Sequence, residues 1–238
     1  RLQLLIDIYP KVGSLLKQRH VILVILYETK NGFMKYSGFQ KEDHLGRISL
    51  YNGDCMDLLK QTPDKYYDLS IVDPPYGLGE KLTAGGTWSV KWQGKGADWD
   101  KAPTKEYWEQ LFRVSKNWIV FGGNYFIEHL PNCRNFIAWH KPYMDGMHSM
   151  SNVELALTSF DKNAKKVSFN KDKGNEDRIH VCQKPIQLYK WVLNEYAKEG
   201  DTILDTHFGS LSIGIACHDL KFDLTAIELD EDYYEMAK

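Results

Sequence analysis

Strand-like and helix-like segments alternate along the chain from residue 47 to its end, and this alternation constrains the fold more than any other feature. Short apolar runs typical of buried strands occur at 48–52, 67–72, 118–121, 135–139, 153–160, 202–205 and 223–227. Apolar residues with helical spacing occur at 55–61, 104–115, 185–196, 210–220 and from 230 onward. This pattern predicts an α/β fold with a mainly parallel sheet and helices on both faces.

Composition limits the number of domains and the kinds of site. The chain has 238 residues, 43% of them hydrophobic, which suits one sizeable domain with a small insertion. The formal charge of −2 gives no overall basic excess of the kind that marks many nucleic-acid-binding proteins. The four cysteines form no Cys-x-x-Cys pair, so neither a zinc site nor a disulfide framework is expected. A reducing cytoplasm fits this cysteine usage best, and the apolar run at 21–27 is too short to span a membrane.

Two consecutive prolines follow the strand predicted at 67–72, in the sequence Asp73-Pro74-Pro75-Tyr76, which we call the proline turn. Each proline lacks an N–H group, fixes its own φ and keeps the preceding residue out of the helical region. The segment should therefore leave the sheet as a stiff, extended turn whose carbonyls are free to accept hydrogen bonds. An ordinary rigid turn is the alternative, and the flanking Asp and Tyr argue against it.

The proline turn suits a reaction at an aromatic amine. Such an amine is a poor nucleophile because its lone pair is delocalised into the ring, so a catalyst must hold both amino hydrogens. Asp73 and the Pro74 carbonyl can accept hydrogen bonds from these two hydrogens and so draw the nitrogen toward tetrahedral geometry. Tyr76 offers a ring on which a base taken out of a duplex can stack, a contact worth about 1–3 kcal/mol.

A second turn, Asp-Thr-His-Phe-Gly-Ser at residues 205–210, lies between a predicted strand and helix, where ligands dock in open α/β sheets. We call it the glycine turn, because Gly209 can adopt backbone angles that other residues avoid and lets a ligand approach closely. Glu228 ends the next predicted strand, 23 positions after Asp205, and can accept hydrogen bonds from two ribose hydroxyls. This ordered set indicates a site for an adenosine-containing ligand.

The proline turn resembles the catalytic motif of the DNA amino-methyltransferases, which modify adenine N6 or cytosine N4. The proline turn comes first in the chain, the lysine-rich segment at 161–191 second and the glycine turn third, which is similar to the beta arrangement of that family. The resemblance covers residues 47–238. It implies a Rossmann-like methyltransferase fold with S-adenosyl-L-methionine as the cofactor. It also implies double-stranded DNA, with the target base flipped out, as the partner. A restriction endonuclease is a further candidate partner, and bacterial or phage cytoplasm is the expected location.

The resemblance implies roles for individual residues. The catalytic set is Asp73, Pro74, Pro75 and Tyr76. The cofactor-binding set is Asp205, Phe208, Gly209, Ser210, Glu228, Asp54 and Lys184. No metal ion is expected.

Some of these assignments have alternatives in the sequence itself. Phe208 is equally suited to the core, and Asp54 is well placed as the N-cap of a helix. Lys184, in the sequence Gln-Lys-Pro, would lie beside the methionine end of the cofactor, although a lone lysine is more often exposed to solvent. The family has a second glycine where this chain has Leu211, which puts the shape of the glycine turn in question.

The expected domain layout is a non-native or poorly ordered leader at 1–33 and a methyltransferase domain at 34–238, with a natural start at Met34. Target recognition is expected at about 143–181. Residues 161–191 carry eight basic and four acidic side chains, so this stretch either contacts phosphates or forms a solvated loop. The glycine- and tryptophan-rich segment at 77–103 either closes over substrate or packs as a surface loop.

The resemblance implies methyl transfer to adenine N6 as the expected activity. Asp begins the proline turn in this chain, whereas Ser is commoner at that position in the cytosine-N4 enzymes of the family. Cytosine-N4 methylation and a catalytically weak nucleic-acid-binding remnant are the alternatives. A nicotinamide-dependent oxidoreductase would use a similar strand, turn and acid. However, the chain lacks the expected Gly-x-Gly-x-x-Gly sequence, and such an enzyme would leave the proline turn unexplained.

Overall fold

The structure is a computed structural model that describes residues 34–78, 100–146, 151–170 and 183–238. Contacts within the chain divide it into two units, Arg1–Ser37 and Gly38–Lys238. Only residues 34–37 of the first unit lie in the described ranges. The leader at 1–33, most of the segment at 77–103 and parts of the segment at 143–181 lie outside the described residues.

The second unit is built from strands and helices that largely follow the predicted alternation. The strands are β1 Lys41–Leu45, β2 Ile48–Asn52, β3 Tyr67–Val72, β4 Ser115–Phe121, β5 Phe136–His140, β6 Val153–Thr158, β7 Lys165–Ser168, β8 Thr202–Asp205 and β9 Asp223–Glu228. The helices are α1 Cys55–Gln61, α2 Lys105–Val114, α3 Ile186–Tyr196, α4 Ser212–Leu220 and α5 Glu231–Ala237, with short 3-10 helices at Gly123–Tyr125 and Pro142–Met144.

These strands form one mixed sheet in the order β1-β2-β9-β8-β3-β4-β6-β5-β7. The five strands from β2 to β4 in that order are mutually parallel, which confirms the predicted parallel centre. β1 is antiparallel to β2, and β6 is antiparallel to both of its neighbours, β4 and β5. β1 and β7 were not predicted, because neither strand shows the apolar pattern of a buried strand.

The chain reverses its direction across the sheet between β8 and β3. The connection from β3 through α2 leads to β4 on one side, whereas the connection from β8 through α4 leads to β9 on the other. Since such crossovers are almost always right-handed, α2 and α4 cover opposite faces of the sheet. The point of reversal is where open α/β sheets form their ligand crevices, beyond the carboxyl ends of the strands.

The central strands and two helices supply the hydrophobic core. Leu50, Ile119, Ile203 and Leu224 are fully buried on the parallel strands β2, β4, β8 and β9. Leu188, Val192, Leu193, Ile213 and Ala216 join the same cluster from α3 and α4. Burying this apolar surface holds the strand ends in fixed positions, which is what a site built on their loops requires. Within the described ranges, every helix is too short or too polar to cross a membrane.

The N-termini of α3 and α4 differ from the prediction. The helix predicted at 210–220 begins at Ser212, because Leu211 lies in the left-handed region with φ 55° and ψ 26°. Ser210 therefore belongs to the loop. The helix predicted at 185–196 begins at Ile186, with Pro185 in the extended conformation of an N-cap residue.

Candidate active site

The proline turn and the glycine turn lie next to each other because they follow adjacent parallel strands. β3 and β8 pair with Ser70 opposite Leu204, so both strands end at the same edge of the sheet. A cavity of about 450 Å³ lies at this edge. The predicted site residues that line it are Asp54, Asp73, Pro74, Pro75, Tyr76, Lys184, Phe208, Gly209, Ser210 and Glu228. Asp205 alone among the predicted residues is absent from the cavity wall.

Asp73 belongs to a buried cluster of charges. Its Oδ2 forms an ion pair with Lys184 Nζ, and the same ammonium lies 2.9 Å from Glu154 Oε1. Lys141 Nζ lies 3.7 Å from the other Glu154 oxygen. The Lys184 side chain is only 3% exposed, and its Nζ also lies 4.8 Å from the centroid of the Phe121 ring. Lys184 lines the cavity, and the two carboxylates that it pairs with belong to this chain.

Burial and neighbouring charges set the ionisation of this cluster. Burial raises the pKa of Asp73 above its usual value, although the Lys184 charge acts in the opposite direction. Burial also opposes ionisation of Glu154, but the charges of Lys184 and Lys141 outweigh it and lower the pKa of Glu154. Burial alone would lower the pKa of Lys184, and the two carboxylates reverse this and raise it. Lys184 is thus the fixed cation, and Asp73 is the more basic carboxylate.

Tyr76 is held by hydrogen bonds and by its ring faces. Its hydroxyl donates to Asp73 Oδ1 at 2.9 Å and lies 3.2 Å from Glu154 Oε1. Its ring stacks on Tyr125, with centroids 4.7 Å apart and planes 18° apart. Gly122, with φ 63°, approaches the ring so closely that a methyl group on its Cα would lie 2.3 Å from Cε1. The ring is therefore fixed in place, and one of its faces is covered by Tyr125.

The Pro74 carbonyl has the freedom that the sequence predicted. Pro74 is buried and lines the cavity. No residue in the described part of the chain donates a hydrogen bond to its carbonyl oxygen. Because a buried carbonyl without a donor is unfavourable, this oxygen is an acceptor suited to a bound amine.

The other side of the cavity is organised by the carboxylate of Glu228. One oxygen accepts the backbone N–H of Gly209 at 2.9 Å, and the other accepts the N–H of Asp230 at 3.0 Å. Gly209 has φ 50°, so this residue uses the backbone freedom predicted for it. Burial raises the pKa of Glu228 despite these two donors. Each carboxylate oxygen retains a lone pair, so both can still accept hydroxyl groups.

Asp205 supports the glycine turn and is not among the residues that line the cavity. Its side chain is buried, and its Oδ1 accepts the backbone N–H of His207 at 3.0 Å. Burial raises the pKa of Asp205 to about 8. Asp205 thus makes a structural contact with the backbone of the glycine turn, and its expected contact with a ligand stays a prediction.

Asp54 and Phe208 line the cavity and also take the structural roles that the sequence offered as alternatives. Asp54 Oδ1 accepts the backbone N–H of Met56 at 2.8 Å, so Asp54 is the N-cap of α1 and also lines the cavity. Phe208 is 5% exposed, belongs to the core cluster and presents part of its surface to the cavity.

Leu211 occupies a position where glycine is usual. Its φ of 55° is unfavourable for a side chain with a Cβ, at a cost of about 1–2 kcal/mol. The side chain is 7% exposed and lies where a methyl group on Gly214 would come within 2.6 Å of Leu211 Cγ. Gly214 thus provides the space that the leucine needs, and the turn keeps a left-handed residue without the second glycine.

Sequence reasoning missed several polar residues at the site. Glu154 lies in β6, and a single charge within an otherwise apolar strand was the available signal. His207 lines the cavity, and its Nδ1 lies 2.9 Å from Thr206 Oγ1, which in turn lies 2.7 Å from the Tyr107 hydroxyl. Burial lowers the pKa of His207 to about 4, so its ring is neutral.

Comparison with known proteins gives this geometry a family context. Residues 157–238 match the family model N6_N4_Mtase, described as DNA methylase. The type II methyltransferase M.HpaI of Haemophilus parainfluenzae is 25% identical over 226 residues, covering 76% of this chain and 69% of that protein. M.BamHI of Bacillus amyloliquefaciens is 33% identical over 89 residues, which cover 37% of this chain but only 19% of that protein. The chain is thus similar in sequence to DNA methyltransferases over the ranges that these matches cover.

Solved structures agree on the fold. The cytosine-N4-specific PvuII DNA methyltransferase aligns with a TM-score of 0.61 at 12% identity, covering 84% of this chain and 89% of that one. The complex of M1.HpyAVI with SAM aligns with a TM-score of 0.56 at 18% identity, covering 80% and 98%. These alignments confirm the predicted Rossmann-like methyltransferase fold.

Proposed function

We propose that this chain is an S-adenosylmethionine-dependent DNA methyltransferase that modifies the exocyclic N6 of adenine. The observation that carries the proposal is the shared cavity. The proline turn, with its free carbonyl and buried carboxylate, lines the same space as the glycine turn and Glu228. A group bound at one turn would therefore face a group bound at the other, as transfer between a cofactor and a base requires.

The cavity fits an adenosine-containing cofactor. Its volume of about 450 Å³ falls in the usual range for ligand pockets, about 300–1,000 Å³. Glu228 presents carboxylate oxygens suited to the two ribose hydroxyls. Gln183 lines the cavity, and within the described residues its buried Oε1 has no hydrogen-bond donor. An acceptor of this kind suits the ammonium group at the methionine end of the cofactor.

In the proposed reaction, the cofactor supplies a methyl group that is already activated as part of a sulfonium ion. The protein must then orient the amine. Asp73 and the Pro74 carbonyl accept hydrogen bonds from the two amino hydrogens. Lys184 and Tyr76 hold the Asp73 carboxylate at one position and angle. No strong base is required, because the methylated nitrogen releases a proton readily. Asp73 therefore orients and polarises the amine more than it deprotonates it.

The partner in this proposal is double-stranded DNA, with the target base flipped out of the helix. The proposed recognition segment remains residues 143–181, within the methyltransferase domain proposed at 34–238. β7 lies in this segment and carries Lys165 and Lys166. Because several relatives are type II methyltransferases, a partner restriction endonuclease and a bacterial or phage cytoplasm are part of the proposal.

Replacement of Asp73 tests the catalytic assignment. We expect Asp73→Ala to reduce transfer of a labelled methyl group to DNA by about 100-fold or more, because an amine acceptor at the reacting centre is lost. Cofactor binding, measured by calorimetry, should change little. Asp64→Ala is the control, because Asp64 is an exposed residue paired with Arg113. Full activity in Asp73→Ala would refute the assignment.

Nucleoside analysis of DNA methylated by the protein tests the choice of base. We expect N6-methyladenine as the product. N4-methylcytosine without N6-methyladenine would show that the cytosine alternative is correct. DNA binding without any methyl transfer would instead support the alternative of a nucleic-acid-binding remnant.

A further inference from the structure

Glu154 is the most connected charged residue near the cavity that the proposed reaction does not use. It lies within ion-pair distance of Lys184 and Lys141 and close to the Tyr76 hydroxyl. Its side chain is 17% exposed, and it does not line the cavity. Any effect of Glu154 on a bound base must therefore pass through its neighbours.

The hydrogen bonds around Tyr76 link Glu154 to Asp73. A phenol hydroxyl has one proton, and here two carboxylates compete for it, at 2.9 Å for Asp73 and 3.2 Å for Glu154. When the hydroxyl donates to one carboxylate, the other loses that donor. The strength with which Tyr76 holds Asp73 thus depends on whether Glu154 is present and charged.

The Lys184 ammonium provides a second link. It contacts Asp73 Oδ2 and Glu154 Oε1, and its side chain is almost completely buried. A desolvated charge interacts strongly with nearby groups. The Lys184 charge is therefore compensated in part by Glu154 and not by Asp73 alone. Glu154 itself is balanced on its far side by Lys141.

We propose that Glu154 is a positioning residue for methyl transfer, which acts on Asp73 through their shared contacts with Lys184 and Tyr76. The inference rests on the proposed function. Because Lys184 and Tyr76 also interact with Glu154, each acts less strongly on Asp73. Asp73 therefore remains a strong hydrogen-bond acceptor for the amino group. Without Glu154, the Lys184 charge and the Tyr76 proton would interact with Asp73 alone, and Asp73 would accept hydrogen bonds from the amine more weakly.

The direction of the expected pH effect follows from the charges that face Asp73. Lys184 and Tyr76 favour its ionised form, whereas the negative charge of Glu154 disfavours it. Tyr189 and the carboxyl of Asp205 also lie close enough to interact with Asp73. Removal of the Glu154 charge should therefore lower the pKa of Asp73. The acid limb of the pH profile for kcat, on which Asp73 becomes protonated, would move to lower pH.

Glu154→Gln tests the proposal because it removes the charge and keeps the shape. We expect kcat for methyl transfer to fall about tenfold, a loss of about 1.4 kcal/mol in transition-state stabilisation. The KM values for DNA and cofactor should change less than twofold. Glu154→Asp keeps the charge and should restore most of the activity. Glu106→Gln is the matched control, because Glu106 forms an exposed pair with Lys60.

A second measurement does not depend on activity. The carboxyl carbon of Asp73 is labelled with carbon-13 and titrated by NMR in the wild type, Glu154→Gln and Glu106→Gln, after thermal unfolding has shown that each is folded. We expect the Asp73 midpoint to move to lower pH only in Glu154→Gln. An unchanged midpoint, or an unchanged kcat, would overturn the role of Glu154. A wild-type protein that transfers no methyl group to DNA would instead refute the proposed function.

Discussion

The two sides of the cavity are held in place by different kinds of interaction. On the side of the proline turn, Asp73 is fixed by charged and polar side chains, of which Lys184 lies 111 positions away and Tyr76 three. On the side of the glycine turn, Glu228 is fixed by backbone N–H groups, one of them only two residues ahead. The first side thus depends on buried electrostatics, whereas the second depends on the shape of the backbone.

This difference has consequences for mutation. Removing one charge from a buried cluster leaves the others uncompensated, so changes near Asp73 should affect both stability and chemistry. Changes near Glu228 should affect mainly the binding of the ligand whose site the backbone forms. The three predictions below test this contrast, from the largest expected effect to the smallest.

Lys184→Met should have the largest effect, because it leaves the Asp73 and Glu154 carboxylates buried without their shared cation. We expect the free energy of unfolding to fall by about 3–5 kcal/mol in urea denaturation at neutral pH. Lys190→Met, on the helix α3 that follows Lys184 in sequence, removes a partly exposed pair with Asp219 and should cost less than about 1 kcal/mol. Equal losses in the two variants would contradict an electrostatic origin for the first side.

Glu228→Gln should weaken cofactor binding with little effect on DNA binding. The substitution removes the charged acceptor proposed for the two ribose hydroxyls, and a hydrogen bond to a charged group is worth about 1.5–3 kcal/mol. We therefore expect the Kd for S-adenosylmethionine, measured by calorimetry, to rise about 10- to 100-fold. The control is Glu231→Gln, since Glu231 forms an exposed pair with Lys41. Unchanged cofactor affinity would remove Glu228 from the proposed binding set.

Gly214→Ala should show that packing against Leu211 shapes the glycine turn. In the wild type, the added methyl group meets the Leu211 side chain, and we expect a loss of about 1–3 kcal/mol in the free energy of unfolding. In a Leu211→Gly background the same change should instead stabilise α4 by about 1 kcal/mol, because alanine favours a helix over glycine. A double-mutant cycle in urea measures this reversal. Equal effects in both backgrounds would contradict the proposed contact.

Much of the fold could be predicted because its central strands are apolar and alternate with helices. The edge strands could not, since β1 and β7 are mostly polar: β1 has the sequence Lys-Glu-Asp-His-Leu, and β7 has Lys-Lys-Val-Ser. The strand order is also absent from the local pattern. Only the structure shows that β8 pairs with β3 and so places the two turns side by side.

The candidate site was predictable to the extent that its residues form compact motifs. The proline turn and the glycine turn are each a few residues long, so their chemistry can be recognised locally. Glu154 was missed because its partners, Tyr76 and Lys184, lie 78 and 30 positions away in the sequence. Asp205 lies in a motif, but whether a buried carboxylate faces a ligand or the back of a turn depends on packing that the motif does not contain.

If the proposed function holds, the stacking of Tyr125 on Tyr76 makes entry of a base a competition between two aromatic partners. A base that uses this face must displace the tyrosine, so it gains only the difference between two stacking energies, each about 1–3 kcal/mol. The Tyr76 ring then binds a base only if the base stacks more strongly than Tyr125, because a weakly stacking group would leave Tyr125 in place. Preference among bases can in this way begin with a side chain that never contacts the transferred methyl group.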